Sequence, residues 1–171
     1  KIDTLLTNMS KILITGGSGY IGSTLTPMLL ELGHEVTVLD KFTRIGLVSL
    51  SNCAHNKNFH AIKGDCRDEE LLKSIVTNFD FIIPLAALVG APICAQDPIA
   101  AETTNYGAIE KIVRLSTSDQ KIIYPTTNSG YGIGSNTKFC TEETPLNPIS
   151  LYGTTKCDAE KIVLESKRGV T

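Results

Sequence analysis

Long hydrophobic runs are missing from this sequence. No apolar stretch approaches the roughly 20 residues that a membrane-spanning helix needs, so we expect no membrane partner. The first residues, KIDTLLTN, lack the apolar core and cleavage site of a signal peptide. An excess of charge of one sign is missing too, because 16 basic and 18 acidic residues give a formal net charge of -2. This balance argues against nucleic acid as a partner, which would require a basic surface.

Metal-binding and disulfide patterns are also absent. The cysteines are odd in number, contain no C-x-x-C spacing, and stand at no metal-ligand spacing from the histidines. We therefore predict no metal site, and free thiols in a reducing cytoplasm. We expect the histidines to lie on the surface or in loops. The residues concerned are Cys53, Cys66, Cys94, Cys140 and Cys157, and His34, His55 and His60.

The remaining composition is that of one ordinary globular domain. Hydrophobic residues make up 42% of the 171 residues and charged residues 20%. We expect residues 1–8 to be an N-terminal extension before Met9, and residues 9–171 to form the domain.

Short apolar runs alternate with stretches of helical periodicity along the whole chain. Such alternation predicts an α/β fold, a parallel sheet covered by helices on both faces. Ligands of these sheets bind beyond the carboxyl ends of the strands. The predicted strands are 11–14, 35–39, 59–63, 81–83 and 121–124, and the predicted helices are about 20–32, 69–78, 98–118 and 151–167.

The glycine-rich stretch after the first strand has the spacing of a dinucleotide-phosphate loop. Gly16 would allow a tight turn, Gly19 would let the backbone approach a pyrophosphate, and Gly22 would let the helix lie close to the strand. The helix that follows would offer free N–H groups to the phosphates. The glycines alone are equally compatible with a turn that binds nothing, so the context decides.

Asp40 ends the second predicted strand, 18 residues beyond Gly22. An acid at about this offset accepts hydrogen bonds from the adenosine ribose hydroxyls and repels a 2′-phosphate, so it favours NAD over NADP. Lys41 and Arg44 follow closely and could soften that preference.

Tyr152 and Lys156 are four residues apart on a predicted helix and therefore share one face. A free phenol, with a pKa near 10, is a poor base at neutral pH. A neighbouring ammonium group favours the phenolate and lowers that pKa. The pair becomes informative because it follows a dinucleotide-binding half.

Taken together, these motifs resemble the extended short-chain dehydrogenases/reductases, specifically the NAD-dependent epimerase/dehydratase family. The resemblance runs from Met9 to the end of the chain and implies a Rossmann-type, doubly wound fold, NAD as cofactor with NADP less favoured, and a nucleotide-sugar substrate. The motifs that carry it are Gly16-x-x-Gly19-x-x-Gly22, Asp40, Gly64-Asp65, Leu85-Ala86-Ala87, the stretch TTNSGYG at 126–132, and Tyr152-Gly-Thr-Thr-Lys156.

The resemblance also implies roles for individual residues. Tyr152 would be the general base, Lys156 would hold the ribose and lower the pKa of the phenol, and Thr127 would bind the reacting oxygen. Asn105 would brace the site, and we count it with Tyr152 and Lys156 among the cofactor contacts. The other implied cofactor contacts are Gly16, Gly19, Tyr20, Ile21, Gly22, Asp40, Lys41, Asp65, Cys66, Leu85, Ala86 and Ala87.

Two departures from the family pattern narrow the activity. The Asp-Glu pair of the 4,6-dehydratases is replaced by Asn128 and Ser129, which counts against a dehydratase. Members of the family continue into a smaller substrate-binding domain, so we expect this chain to lack that domain and to be inactive alone. Cys94 should lie on a loop near the substrate cleft, as a small buried residue rather than a nucleophile.

We predict a cytoplasmic nucleotide-sugar epimerase that oxidises a sugar hydroxyl transiently to a keto intermediate. The alternatives are an NAD(P)-dependent reductase or dehydrogenase of the same family, and a non-catalytic dinucleotide-sensing protein. Family resemblance also implies a homodimer formed by the helices near 98–118 and 150–167. The apolar residues that could form its face, or could equally belong to the core, are Ile109, Ile112, Val113, Leu151, Ile162 and Val163.

Overall fold

The computed structural model describes residues 9–43, 49–133 and 139–171. The described strands form one six-stranded sheet in the order β3-β2-β1-β4-β5-β6, and every neighbouring pair is parallel. This is the doubly wound Rossmann order, so the predicted fold class is confirmed. The strands are β1 (Lys11–Thr15), β2 (Glu35–Asp40), β3 (Phe59–Lys63), β4 (Phe81–Pro84), β5 (Lys121–Ile123) and β6 (Gly169–Val170).

Helices connect successive strands, and several of them are capped by side chains. Asp68 accepts hydrogen bonds from two backbone N–H groups of the following turn, and Ser150 caps the last helix in the same way. Gly33, with φ of +88°, ends the first helix. The helices are α1 (Gly22–Glu31), α2 (Glu69–Ile75), α3 (Ala91–Gln96), α4 (Pro98–Glu102), α5 (Ala108–Leu115) and α6 (Leu151–Glu165), with a π-helical segment at Thr103–Gly107 between α4 and α5.

The sheet buries both of its faces, as the continuous apolar strands require. Leu13 packs on one side, in a cluster with residues of α2, α5 and α6. Its neighbours Ile12 and Ile14 pack on the other side, against α1 and the short turn at 51–53. Successive residues of a strand point to opposite faces, so one five-residue strand contributes to both halves of the core.

Several element boundaries differ from those predicted. The predicted helix 98–118 is α4, the π segment and α5, and it ends at Leu115 because Ser116 is extended. Residues 91–96 form helix α3, where a loop was expected. The first helix starts at Gly22 rather than near residue 20, and the last ends at Glu165. The chain also completes a short sixth strand, which hydrogen-bonds to β5.

The structure also shows where two sets of residues lie. His34, expected on the surface or in a loop, lies in the loop before β2 and is buried there, where its Nδ1 accepts a hydrogen bond from the N–H of Ser10. Ile109, Ile112 and Val163 belong to the core. The other three candidates for a dimer face are partly buried, so these residues do not form an exposed apolar face, and the homodimer stays a prediction.

The N-terminal extension and Arg44 lie outside the described residues. Within the described ranges, no helix is long and apolar enough to cross a membrane. The same ranges hold no cluster of three or more His, Cys, Asp or Glu side chains suited to a metal ion. All five cysteines are free thiols, as predicted, and Cys140 is the exposed one.

Candidate functional site: a cleft at the carboxyl edge of the sheet

The turn after β1 is built on glycines that no larger residue could replace without strain. Gly16 has φ of +72°, and a Cβ placed there would lie 2.6 Å from the backbone of Ala86. A Cβ on Gly22 would lie 2.4 Å from the backbone of Gly17, so this glycine lets the start of α1 fold closely onto the turn. The positive φ of Gly16 is that of a tight turn, and Gly22 brings the start of α1 against the turn rather than against the strand itself.

Backbone donors are available at the start of α1. The N–H of Gly19 is used within the turn, where it donates to the carbonyl of Gly16. The N–H groups of Ile21 and Gly22 have no acceptor among the described residues. Unpaired N–H groups at a helix N-terminus, together with the helix dipole, suit a phosphate.

The carboxylate of Asp40 connects the end of β2 to the glycine turn. Its Oδ2 accepts the N–H of Ser18 at 3.0 Å, and its Oδ1 accepts the N–H of Phe42 at 2.9 Å. Each carboxylate oxygen has a further lone pair, so both can still accept a hydroxyl hydrogen from a ligand. The two hydrogen bonds from backbone N–H groups fix the orientation in which the carboxylate presents its free lone pairs.

Asp65, just beyond β3, is held by two cations. Arg67 donates to it from Nε and from Nη2, the latter at 2.7 Å, and Lys41 Nζ lies 2.9 Å from Oδ2. The hydrogen bonds from Arg67 keep the pKa of the Asp65 carboxyl far below its usual range. The next residue, Cys66, is buried, and desolvation raises the pKa of its thiol to about 11. Cys66 therefore remains a neutral thiol at neutral pH.

These residues line one cleft of about 830 Å³ along the carboxyl edge of the sheet. A dinucleotide fits a cavity of this size, which lies within the usual range of ligand pockets. Asn105, Thr127, Tyr152 and Lys156 are not among its lining residues. The predicted cofactor contacts that do line it are Gly16, Gly19, Tyr20, Ile21, Gly22, Asp40, Lys41, Asp65, Cys66, Leu85, Ala86 and Ala87.

Asn105 joins α6 to the wall of this cleft. Its amide exchanges two hydrogen bonds with the backbone of Leu88, a cleft residue, at 2.8 and 3.0 Å. The same Nδ2 lies 3.4 Å from the hydroxyl of Thr155, on α6, and 3.8 Å from the thiol of Cys94. Cys94 is fully buried in α3. The bracing expected of Asn105 thus has a physical form, a side-chain amide that bonds three segments.

Lys156 is buried on α6 with its ammonium group against β5. Its Nζ donates to the carbonyl of Pro125 at 2.6 Å and lies 4.0 Å from the centre of the Tyr124 ring. Desolvation by burial lowers the pKa of Lys156 to about 8. The ring of Tyr124 is buried as well, and its hydroxyl has no hydrogen-bond partner in the described parts of the chain.

The other predicted catalytic residues lie on the two segments that Lys156 joins, α6 and the stretch after β5. Tyr152 is half-buried at the start of α6, one turn before Lys156. Burial raises the pKa of the Tyr124 phenol, and the nearby Tyr152 raises it further. Thr127 lies four residues beyond β5 and caps the turn at 128–131, where its hydroxyl accepts the N–H of Ser129 at 3.2 Å. The hydroxyl of its neighbour Thr126 donates to the carboxylate of Glu160 at 2.9 Å.

Sequence reasoning missed three participants. Arg67, the main partner of Asp65, lies two residues beyond it, a spacing typical of an Asx turn. Thr104 lines the cleft from the π segment, which no periodicity signalled. Tyr124 was predicted only as a strand residue, although an aromatic residue at a strand end before the TTNSGYG motif was visible in the sequence.

Comparison with known proteins agrees with this geometry. Residues 12–170 match the model of the NAD dependent epimerase/dehydratase family. UDP-glucose 4-epimerase of Halalkalibacterium halodurans is 34% identical over 157 residues, which cover 88% of this chain and 44% of that protein.

Solved structures show the same relationship. The UDP-Glc/GlcNAc 4-epimerase of Campylobacter jejuni superposes with a TM-score of 0.84 at 30% identity, over 92% of this chain and 49% of that one. The UDP-glucuronic acid 4-epimerase of Bacillus cereus, in complex with UDP-glucuronic acid and NAD, superposes with a TM-score of 0.78 at 26% identity, over 91% and 52%. The chain thus spans about half the length of the proteins it matches.

Proposed function

The chain belongs to the NAD-dependent epimerase/dehydratase family, and on that basis we propose that it binds NAD for the epimerisation of a nucleotide sugar. One observation carries the proposal: segments from four strand ends line a single cleft, and Asn105 ties the helix of Tyr152 and Lys156 to its wall. That juxtaposition is what a hydride-transfer site needs, a cofactor next to an acid–base group.

The residues present fit NAD. The close approach of Gly16 to Ala86 and the unpaired N–H groups of Ile21 and Gly22 suit the pyrophosphate. The two carboxylate oxygens of Asp40 suit the ribose hydroxyls and would repel a 2′-phosphate. Asp65, Cys66, Leu85, Ala86 and Ala87 complete the contacts along the cleft.

The chain's own residues would supply the proton chemistry. Bound NAD would supply a carrier that accepts a hydride from the sugar and returns it. The phenol of Tyr152 would take the proton of the sugar hydroxyl, and the hydroxyl of Thr127 would hold the reacting oxygen.

Lys156 would make Tyr152 a better base. Its ammonium group uses one N–H on the carbonyl of Pro125 and packs against the ring of Tyr124, which leaves a donor that would serve the ribose. A cation beside the phenol would stabilise the negative charge that its oxygen takes on when Tyr152 acts as a base.

Other details of the chain are consistent with an epimerase. Asn128 and Ser129, in the turn after Thr127, ionise at no physiological pH, so they cannot catalyse the elimination of water in a dehydratase. The free thiols are consistent with the proposed cytoplasmic location. The proposed homodimer is tested by light scattering at micromolar concentration, where a monomer would contradict it.

The decisive experiment measures interconversion of UDP-sugar epimers by the complete protein and by its Tyr152→Phe variant. We expect the variant to retain NAD and to lose about 10²- to 10⁴-fold in rate, the usual contribution of a positioned base. Tyr106→Phe is the matched control, because Tyr106 packs against the core and should keep its rate.

The cofactor found in the purified protein separates the alternatives. NAD that stays bound through turnover supports the epimerase, whereas an exchanging NADPH would indicate a reductase. Binding of NAD without any turnover would indicate a sensor. Full activity in Tyr152→Phe would contradict the proposed role of the phenol.

A further inference from the structure

A cluster of charged side chains lies at the edge of the cleft, beside Asp40, the residue proposed to bind the ribose. It consists of Lys41, Asp65 and Arg67, and the carboxylate of Asp65 lies between the two cations. Lys41 directly follows Asp40 at the end of β2, and both lysine and aspartate line the cleft. A cation is thus placed next to the position where a 2′-phosphate would distinguish NADP from NAD.

The contacts of Asp65 determine whether the ammonium group of Lys41 is available to bind another anion. Lys41 Nζ lies 2.9 Å from Oδ2 of Asp65, so its charge is already paired within the protein. Arg67 binds both oxygens of the same carboxylate through Nε and bonds one of them through Nη2, which fixes the direction of the group. The carbonyl of Arg67 in turn accepts a hydrogen bond from Lys111 at 2.8 Å, which anchors the cluster to α5.

We propose that Asp65 is a selectivity residue: by pairing with Lys41 it withholds that ammonium group from a 2′-phosphate and so maintains the preference for NAD set by Asp40. This inference rests on the proposed function, because it requires the cleft to bind a dinucleotide. With Asp65 in place, the cluster and Asp40 together carry no net charge. Without it they carry one positive charge, and Lys41 can turn to the phosphate.

The effect should be modest in size. The side chain of Lys41 is 47% exposed and that of Asp65 is 29% exposed, so solvent screens their interaction. A lysine freed at a partly exposed position should change the relative affinity for a phosphorylated ligand by about three- to fivefold.

The test is a set of equilibrium titrations with NAD and with NADP on four proteins: the wild type, Asp65→Asn, Lys41→Gln and the double variant. The measured quantity is the ratio of the two dissociation constants. Any contact of Asp65 with the adenine is common to both ligands and cancels in this ratio. Asparagine can still accept hydrogen bonds from the backbone and side chain of Arg67, so the turn at 65–67 is preserved.

We expect Asp65→Asn to move the ratio about three- to fivefold towards NADP, and Lys41→Gln in that background to reverse at least half of the change. In the wild-type background Lys41→Gln should change the ratio by less than about twofold. The shift in Asp65→Asn should shrink as salt is raised, because it is electrostatic.

Two results would overturn the inference while leaving the proposed function intact. One is NAD binding with the same ratio in Asp65→Asn as in the wild type. The other is a loss of NADP affinity in Lys41→Gln with Asp65 present, which would show that Lys41 is already free. Failure of the wild type to bind either dinucleotide would instead refute the proposed function. If Asp65→Asn does not fold, Asp65→Ser takes its place in the same comparison, because a serine hydroxyl can still accept the N–H of Arg67.

Discussion

The buried ammonium group of Lys156 should make the stability of this protein depend on pH in a measurable way. We consider Lys156→Met, which keeps an unbranched side chain of similar length and removes the charge. Burial lowers the pKa of Lys156 from 10.5 to about 8 in the folded chain. Below pH 8 the folded state must therefore hold a charge that it disfavours, and the methionine variant avoids this cost.

The size of the effect follows from the difference between the two pKa values. Each pKa unit corresponds to 1.36 kcal/mol, so the buried charge costs the wild type about 3 kcal/mol at neutral pH. Between about pH 8 and pH 10.5 the unfolded chain binds more protons at this residue than the folded chain. The free energy of unfolding of the wild type therefore rises with pH across that window, relative to the variant.

The assay is urea unfolding followed by circular dichroism at several pH values across this window. The carbonyl of Pro125 loses its donor in the variant, which costs about 1 kcal/mol at every pH and leaves the slope unchanged. Thiols and phenols that ionise in the same range are common to both proteins and cancel in the difference. Lys161→Met, at an exposed position of the same helix, is the matched control and should run parallel to the wild type.

A difference between wild type and Lys156→Met that does not change with pH would refute this reasoning. It would mean that the ammonium group is solvated in the folded state. The proposed help that Lys156 gives to Tyr152 would then lose its physical basis, because a solvated charge acts weakly on its neighbour.

Two further pairs of substitutions test the packing that holds the site. Tyr124→Phe removes a buried hydroxyl without a partner among the described residues and should stabilise the protein by about 1 kcal/mol in thermal unfolding. Tyr124→Leu also removes the ring beneath Lys156 and should destabilise the protein in the same assay. Destabilisation by the phenylalanine would show that the hydroxyl is bonded. Gly16→Ala should lower the free energy of unfolding by at least about 2 kcal/mol more than Gly33→Ala does. Both glycines have positive φ, but only at Gly16 would a Cβ lie against the backbone of Ala86. Equal costs in urea unfolding would contradict the close approach at that position.

Much of the fold could be predicted because its signals are local. Apolar runs of strand length, separated by helical periodicity, specify a parallel sheet, and the glycines of the turn after β1 are spaced as the close approach to Ala86 requires. The family resemblance implied the cleft contacts, and they lie together because parallel strands place their carboxyl ends at one edge.

The parts that escaped prediction depend on contacts distant in sequence. His34 lies in a loop, as one of the two expected positions, yet its burial depends on the surrounding core and on the N–H of Ser10, 24 residues earlier. Helix α3 is a short run after Gly90, and Cys94 within it is fixed by the carbonyl of Leu88 and by Asn105. The ion pair of Asp65 with Lys41 could not be assigned either, because Lys41 meets Asp65 only through the pairing of β2 with β3.

The π-helical segment at Thr103–Gly107 rotates helix α5 relative to helix α4 about their common axis. An α-helix turns about 100° per residue, so an extra residue in one turn rotates everything downstream by about that angle. Ala101, before the segment, and Ile112, after it, are both fully buried. The inserted turn therefore sets the rotation of α5, which packs on the sheet and on α6, relative to α4, which packs on α6, with Asn105 between the two helices. Loss of a single residue there would leave the fold's outline unchanged and turn the Asn105 amide away from Leu88.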